Sequence, residues 1–178
     1  LTHNNVMSLR EDQAGGLFVA TWGGGLNRIH DGKVTACEPA SFHIDQVLSL
    51  CEARDGSLWV GTRGGGLGRL KDGKWSAHTS RDGLSSDTVK ALYEDALGTL
   101  WLGTAGGGLN RLRDGKFSAV TSKQGLYDDI IHRILEDGEG RLWMSCNRGV
   151  FWVSRGAAND VADGRAPALT SVAYGRGD

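Results

Sequence analysis

Residues 93–112 read YEDALGTLWLGTAGGGLNRL. The same wording returns at residues 51–70 as CEARDGSLWVGTRGGGLGRL, and more loosely at residues 10–29 as REDQAGGLFVATWGGGLNRI. The Gly-Gly-Gly-Leu runs end at Leu26, Leu67 and Leu109, spaced by 41 and 42 residues. A fixed period of this length marks a unit that cannot bury its apolar surface alone and must stack on copies of itself.

Aligned on the triglycine, the chain divides into four units, opening at Leu1, Phe42, Leu84 and Leu126. Each begins with an apolar-rich segment: Val6–Glu11, Val47–Glu52, Val89–Glu94 and 131–136. A turn follows with glycine at one register, Gly15, Gly56, Gly98 and Gly140, then a second short segment carrying Phe18, Trp59, Trp101 or Trp143. The glycine-rich turn leads to a third segment, and the pairs Asp31-Gly32, Asp72-Gly73 and Asp114-Gly115 lead to a fourth. Short apolar or alternating runs punctuated by Gly and Asp-Gly are strand and hairpin signals, and Asp-Gly suits a type I′ turn. The spacing therefore predicts an all-β chain, a β-propeller built of four-stranded antiparallel blades, with blades at about 1–41, 42–83, 84–125 and 126–178. The last unit carries Asn147-Arg148-Gly149-Val150 in place of the glycine turn and an insert at 155–165 expected to hold a short helical turn, with its outer strand expected at 169–174.

The bulk numbers narrow the function. With 20 basic and 21 acidic residues, the net charge of −1 gives no footprint for nucleic acid or an anionic membrane. No apolar run approaches the length of a membrane span, so no direct membrane contact is expected of this segment. Cys37, Cys51 and Cys146 lack paired ligand spacing, which argues for small buried apolar groups rather than a zinc site or a disulfide framework. The chain opens at Leu1 and reads as a segment of a longer protein.

The repeated wording, a strand ending in Glu-Asp, then Gly, Leu, Trp, Gly-Thr and Gly-Gly-Leu-Asn-Arg-Leu, resembles the two-component regulator propeller repeat, and the likeness runs through all four units. The resemblance implies the periplasmic, extracytoplasmic sensor region of a bacterial membrane-bound histidine kinase or a relative with another output domain. It implies a non-catalytic module binding a small-molecule or oligosaccharide ligand. Propellers of this family usually have more blades than four, so the expectation is an arc belonging to a larger propeller or completed by a second copy of the chain. The alternatives are a propeller enzyme acting on glycans, of lyase or glycosidase type, and a lectin-like binding module.

Propeller geometry places the triglycine turns on one face with the segments HNN, FHID, SSD and YDD, and the Asp-Gly hairpins on the other. Within the glycine turn one position differs from unit to unit: Trp22, Arg63, Ala105 and Asn147. A ligand contact is expected where the fold does not dictate the residue. Trp22 suits stacking on a flat ligand and Arg63 suits a carboxylate. Asn147, Arg148, His3, His43 and Tyr127 share that face and complete the candidate ligand-binding set. The Trp at 59, 101 and 143 repeats with the pattern and is assigned to the core. The triglycine has no following helix and is read as backbone geometry rather than a phosphate cradle. Glu11, Glu52, Glu94 and Glu136 recur at the end of the first segment and are assigned to hydrogen bonding with a neighbouring turn in preference to a cation ring. His3, His30, His43, His78 and His132 fall at registers that assemble neither a triad nor a metal site, so no catalytic residue, metal or cofactor is expected.

Overall fold

The computed structural model describes residues 1–37, 39 and 44–175. Its strands form four antiparallel four-stranded sheets: β1 (Val6–Glu11) to β4 (Lys33–Ala36), β5 (Val47–Glu52) to β8 (Lys74–His78), β9 (Val89–Glu94) to β12 (Lys116–Val120), and β13 (Arg133–Glu136) to β16 (Val172–Tyr174). Within each sheet the strands lie in chain order, and the inner strands β1, β5, β9 and β13 stand side by side. These are blades of a β-propeller. The third and fourth strands of the first three blades are joined by Asp31-Gly32, Asp72-Gly73 and Asp114-Gly115, all at positive φ as the type I′ turn requires.

The repeated aromatic faces the next blade each time. Phe18 packs with Val47, Leu58 and Val60; Trp59 with Val89, Leu100 and Leu102; Trp101 with Ile134, Leu142 and Met144. Burying one such aliphatic or aromatic side chain contributes about 1.5–3 kcal/mol, so each junction gains from several. The Glu set ties the same junctions together: Glu52 Oε1 accepts from Gln13 N at 3.3 Å and Glu94 Oε2 from Arg54 N at 2.9 Å. Glu136 accepts from the Tyr93 hydroxyl at 2.9 Å and pairs with Arg155 at 3.2 Å.

The arc is open. β1 and β13 make no contact comparable with those between adjacent inner strands. Equivalent positions show the consequence: Leu50 and Ile134 are buried at 8% and 5% exposure, whereas Leu9 at the same register of blade 1 is 57% exposed. At the other end Leu135 is 69% exposed, and Trp143 stacks on Tyr174 with ring centres 5.9 Å apart where a following blade would lie.

Two elements differ in extent from the sequence expectation. β13 begins at Arg133 rather than Ile131, because its ladder with the following strand starts at Arg133 opposite Ser145, while Ile131 N bonds Thr104 O of the preceding blade. The outer strand spans only Val172–Tyr174, because Leu169 N bonds Gln124 O and the Ser171 hydroxyl bonds Gly125 O. The insert forms α1 (Arg155–Ala162), capped by the Ser154 side chain and docked on blade 3, where Asn159 and Asp163 receive the buried Arg111 guanidinium.

Candidate functional site

The glycine turns are held by the next blade. Gly23 N and Gly25 N both donate to Asp45 O, at 2.7 and 3.1 Å. Gly64 N and Gly66 N converge likewise on Asp87 O at 2.9 and 2.8 Å, and Gly106 N and Gly108 N on Asp129 O at 2.9 and 3.0 Å. Each turn is an anion-cradling concavity already occupied by a neighbour's carbonyl, which is why it is not a phosphate site. A Cβ on Gly66 would sit 2.2 Å from His78 O, so the third glycine is required by close approach as well as by its φ of 77°.

The variable residue before each turn shares its backbone with this junction. Trp22 bridges to Gln46, Arg63 to Thr88 and Ala105 to Ile130. Their side chains line a cleft of about 570 Å³ beside the inner strands, together with Met7, Leu48, Lys90, His132, Thr88 and Arg133. Met7, Leu48 and Lys90 are each the extra residue of a β-bulge: the register of β1 with β2 (Leu17–Thr21) passes from Val6 to Ser8, that of β5 with β6 (Leu58–Thr62) from Val47 to Ser49, and that of β9 with β10 (Leu100–Thr104) from Val89 to Ala91. A bulge re-aims one side chain without disturbing the rest of the ladder. His132 holds the equivalent place in blade 4.

Inside the cleft the Arg63 guanidinium lies over the Trp22 indole, 5.0 Å from its centre. Lys90 Nζ lies 3.3 Å from His132 Nδ1, and His132 Nε2 lies 2.7 Å from Asn147 Oδ1. Arg133 Nη1 donates to His132 O at 2.9 Å and to Lys90 O at 3.4 Å. Trp22 and Arg63 thus lie together, with Asn147 joined to the same cleft through His132.

The other expected site residues lie elsewhere. The Arg148 guanidinium is stacked 4.0 Å from the centre of the Tyr127 ring, donates to Tyr127 O and pairs with Asp128. Tyr127 in turn packs on Phe151, ring centres 5.6 Å apart. In blade 3 the equivalent pair is Ser85 and Asn110, joined by Ser85 N to Asn110 Oδ1 at 3.0 Å, so Tyr127 and Arg148 fasten the entry of blade 4 to its own sheet. His3 is exposed beside the first glycine turn and its Nδ1 accepts from Asn5 N at 3.0 Å. His43 lies outside the described residues.

Sequence reasoning missed the bulged residues and Arg133. Their signal was the one used for Trp22 and Arg63, since Met7, Leu48, Lys90 and His132 also differ from unit to unit at one register. It also missed the Asp following the repeated Glu. Asp95 accepts from Leu97 N, Thr99 N and the Trp101 indole at 2.9–3.0 Å, and Asp137 accepts from Glu139 N, Arg141 N and the Trp143 indole at 2.7–3.0 Å. This one carboxylate shapes the turn and orients the core tryptophan.

A family model for the two component regulator propeller matches residues 41–64 and 83–106. Those two stretches match the two-component regulator propeller repeat. A search of curated protein sequences finds no match. Among solved structures, the chain resembles the extracellular domain assigned to a hybrid two component system of B. thetaiotaomicron: TM-score 0.76 at 18% identity, covering 98% of this chain and 25% of that one. PorZ, a surface component of the type-IX secretion system of Porphyromonas gingivalis, gives a TM-score of 0.67 at 18% identity over 94% of this chain and 26% of its own. Virginiamycin B lyase from Staphylococcus aureus gives 0.68 at 18% identity over 88% of this chain and 55% of its own. At these identities the likeness is one of fold. The chain spans about a quarter of the length of the first two of these.

Proposed function

We propose that this chain is part of the extracytoplasmic sensor region of a two-component receptor, that it binds ligand in the axial cleft, and that it does so without turnover. The observation that carries the reading is the pairing of repeat identity with site geometry: the regulator-propeller repeats build the scaffold, while both rings of unit-to-unit variation, 22/63/105 and 7/48/90/132, meet in one cleft. Binding there biases signalling only if the ligand prefers one arrangement of the receptor over another. Support for binding over catalysis comes from the partners of His132, which are Lys90 and Asn147 rather than a carboxylate or a nucleophile.

The test is a thermal-shift and calorimetric screen of the purified chain against oligosaccharides and small metabolites, repeated on Trp22→Ala. Saturable binding lost in the variant, with the melting temperature of the free protein unchanged, supports the reading. Elimination, hydrolysis or lactone opening of any of these compounds by the purified chain overturns it.

A further inference from the structure

The cleft has a charge pattern that narrows its ligand. Arg63, Lys90 and Arg133 all line it, and none forms an ion pair with a carboxylate among the described residues. Several cations elsewhere on the arc are neutralised, Arg28 by Asp12, Arg69 and Lys71 by Asp55, Arg141 by Asp137 and Arg155 by Glu136, and those without an ion pair among the described residues, such as Arg10, Arg81 and Lys123, line no part of this cleft. The acids that could answer the cleft are committed or remote. Glu52, Glu94 and Glu136 end their inner strands and serve the blade junctions. Four strand residues from Lys90 to Glu94 put about 13 Å between their backbone positions, beyond a Debye length at physiological salt. Asp87 and Asp129 turn their carboxylates outward, onto Ser80 and Ser122. Asp45 lines a neighbouring pocket together with Arg63 but forms no ion pair with it.

We infer that the axial cleft takes a small organic anion, with a carboxylate or phosphate group set among Arg63, Lys90 and Arg133 and a flat or ring-shaped body against Trp22. The inference rests on the reading of this cleft as the ligand site and deepens it. Like charges are gathered here in a concave wall of Met7, Leu48 and Ala105, which focuses the field on an incoming anion. Stacking on Trp22 holds the Arg63 guanidinium in place before ligand arrives, and its N–H groups form no other recorded hydrogen bond. A planar guanidinium so placed meets two oxygens of a carboxylate or phosphate at once, at little further ordering cost. Lys90 and Arg133 supply point charges from the next two blades, so the anion would span junctions rather than sit on one sheet.

The experiment uses the purified chain and four probes observed by ligand-detected NMR and tryptophan fluorescence: benzoate, phenyl phosphate, inorganic phosphate and benzyl alcohol. Benzoate or phenyl phosphate is expected to bind at least tenfold more tightly than benzyl alcohol, with affinity falling as salt rises; whichever binds better identifies the anionic group. Inorganic phosphate is expected to be weaker than phenyl phosphate, and Trp22→Ala is expected to erase that difference. Arg63→Gln with Lys90→Gln should weaken the aromatic anion about tenfold while leaving the melting temperature in place. Equal binding of benzyl alcohol, insensitivity to the double substitution, or no binding by either aromatic anion overturns the inference. A neutral ligand that binds and is lost in Trp22→Ala would overturn the anion assignment while leaving the binding-module reading standing; chemical conversion of a ligand would remove that reading itself.

Discussion

Trp101 and Trp143 occupy one register position in adjacent blades, and replacing each by alanine should have very different costs. Trp101 is fully buried between blades 3 and 4, and its indole N–H donates to Asp95 at 3.0 Å. Removing a buried Trp costs about 3–5 kcal/mol, and stranding a hydrogen bond of a fully buried carboxylate adds about 1–3 kcal/mol. The sum, about 4–8 kcal/mol, is of the order of the whole stability of an ordinary domain. Trp143 has the same kind of bond to Asp137, but among the described residues its ring meets Tyr174, Trp152 and Arg141, all of its own blade. Its loss should cost about 1–2 kcal/mol, the scale of aromatic pairing at a part-exposed position. Urea unfolding followed by far-ultraviolet circular dichroism reads both. With a slope of about 2 kcal/mol per molar, Trp101→Ala should lower the midpoint by more than about 2 M, or prevent folding, while Trp143→Ala lowers it by less than about 1 M. Trp101→Phe keeps the ring and loses the N–H, and is expected between the two, so the comparison survives if the alanine variant does not fold. Equal midpoints for Trp101→Ala and Trp143→Ala would refute the argument, because blade 4 would then be as well covered as blade 3.

Further outcomes follow from the same geometry. Leu9 and Glu11 of blade 1 stand exposed where Leu50 and Glu52 meet a neighbour, and Leu135 is exposed on blade 4, so the chain should self-associate in light scattering, and Leu135→Asp should shift it toward monomer; a monodisperse wild-type monomer would contradict this. Asp12 is held below the usual carboxylate value chiefly by its bond to Arg28, and Asp137 chiefly by the Trp143 indole. Their stabilisation is present above about pH 3.8 and lost as pH falls below it, so the melting temperature should drop in that window and drop less in Asp12→Asn; a flat profile would count against it. Tyr93 is pushed up to about 12 by burial and by its bond to Glu136. That contribution is full below about pH 10 and disappears as pH rises through about 12, and Tyr93→Phe should remove the alkaline dependence seen by calorimetry. Gly66→Ala should cost more than Gly64→Ala in the same unfolding assay, since both have positive φ but only Gly66 faces a backbone oxygen at 2.2 Å; equal costs would place the effect in φ alone.

What could be read from the sequence was whatever repeats with the period. The four units, the turn glycines, the Asp-Gly hairpins and the inward Trp all follow from local chemistry recurring at fixed register. Bonds made between units were harder to see. Ile131 looks like the start of a strand, yet its N–H belongs to blade 3, and the register pattern gives no sign of it. The bulges at Met7, Leu48 and Lys90 break alternation by one residue, which a short apolar run conceals. For the candidate site, variation between units led to Trp22 and Arg63 but grouped them with Tyr127 and Arg148, whose aromatic and guanidinium chemistry is spent inside blade 4. The Arg of the third strand shows the limit most clearly. Arg28 and Arg69 pair within their own blades, whereas Arg111 at the same register is redirected to α1, because the insert of a later unit supplies Asp163 and Asn159.

The carbonyl that fills each glycine turn separates assembly from recognition. Blades are coupled there by main-chain atoms alone, so the residue just before the turn can become indole, guanidinium or methyl without loosening the arc. The same residue is nonetheless joined to the next blade by a bridge, Trp22 to Gln46 and Arg63 to Thr88, while its own N–H bonds Asn5 O or Gln46 O of its own blade at 2.9 and 3.0 Å. A ligand held by those two side chains would therefore rest on residues bridged to the next blade, next to the seams between sheets.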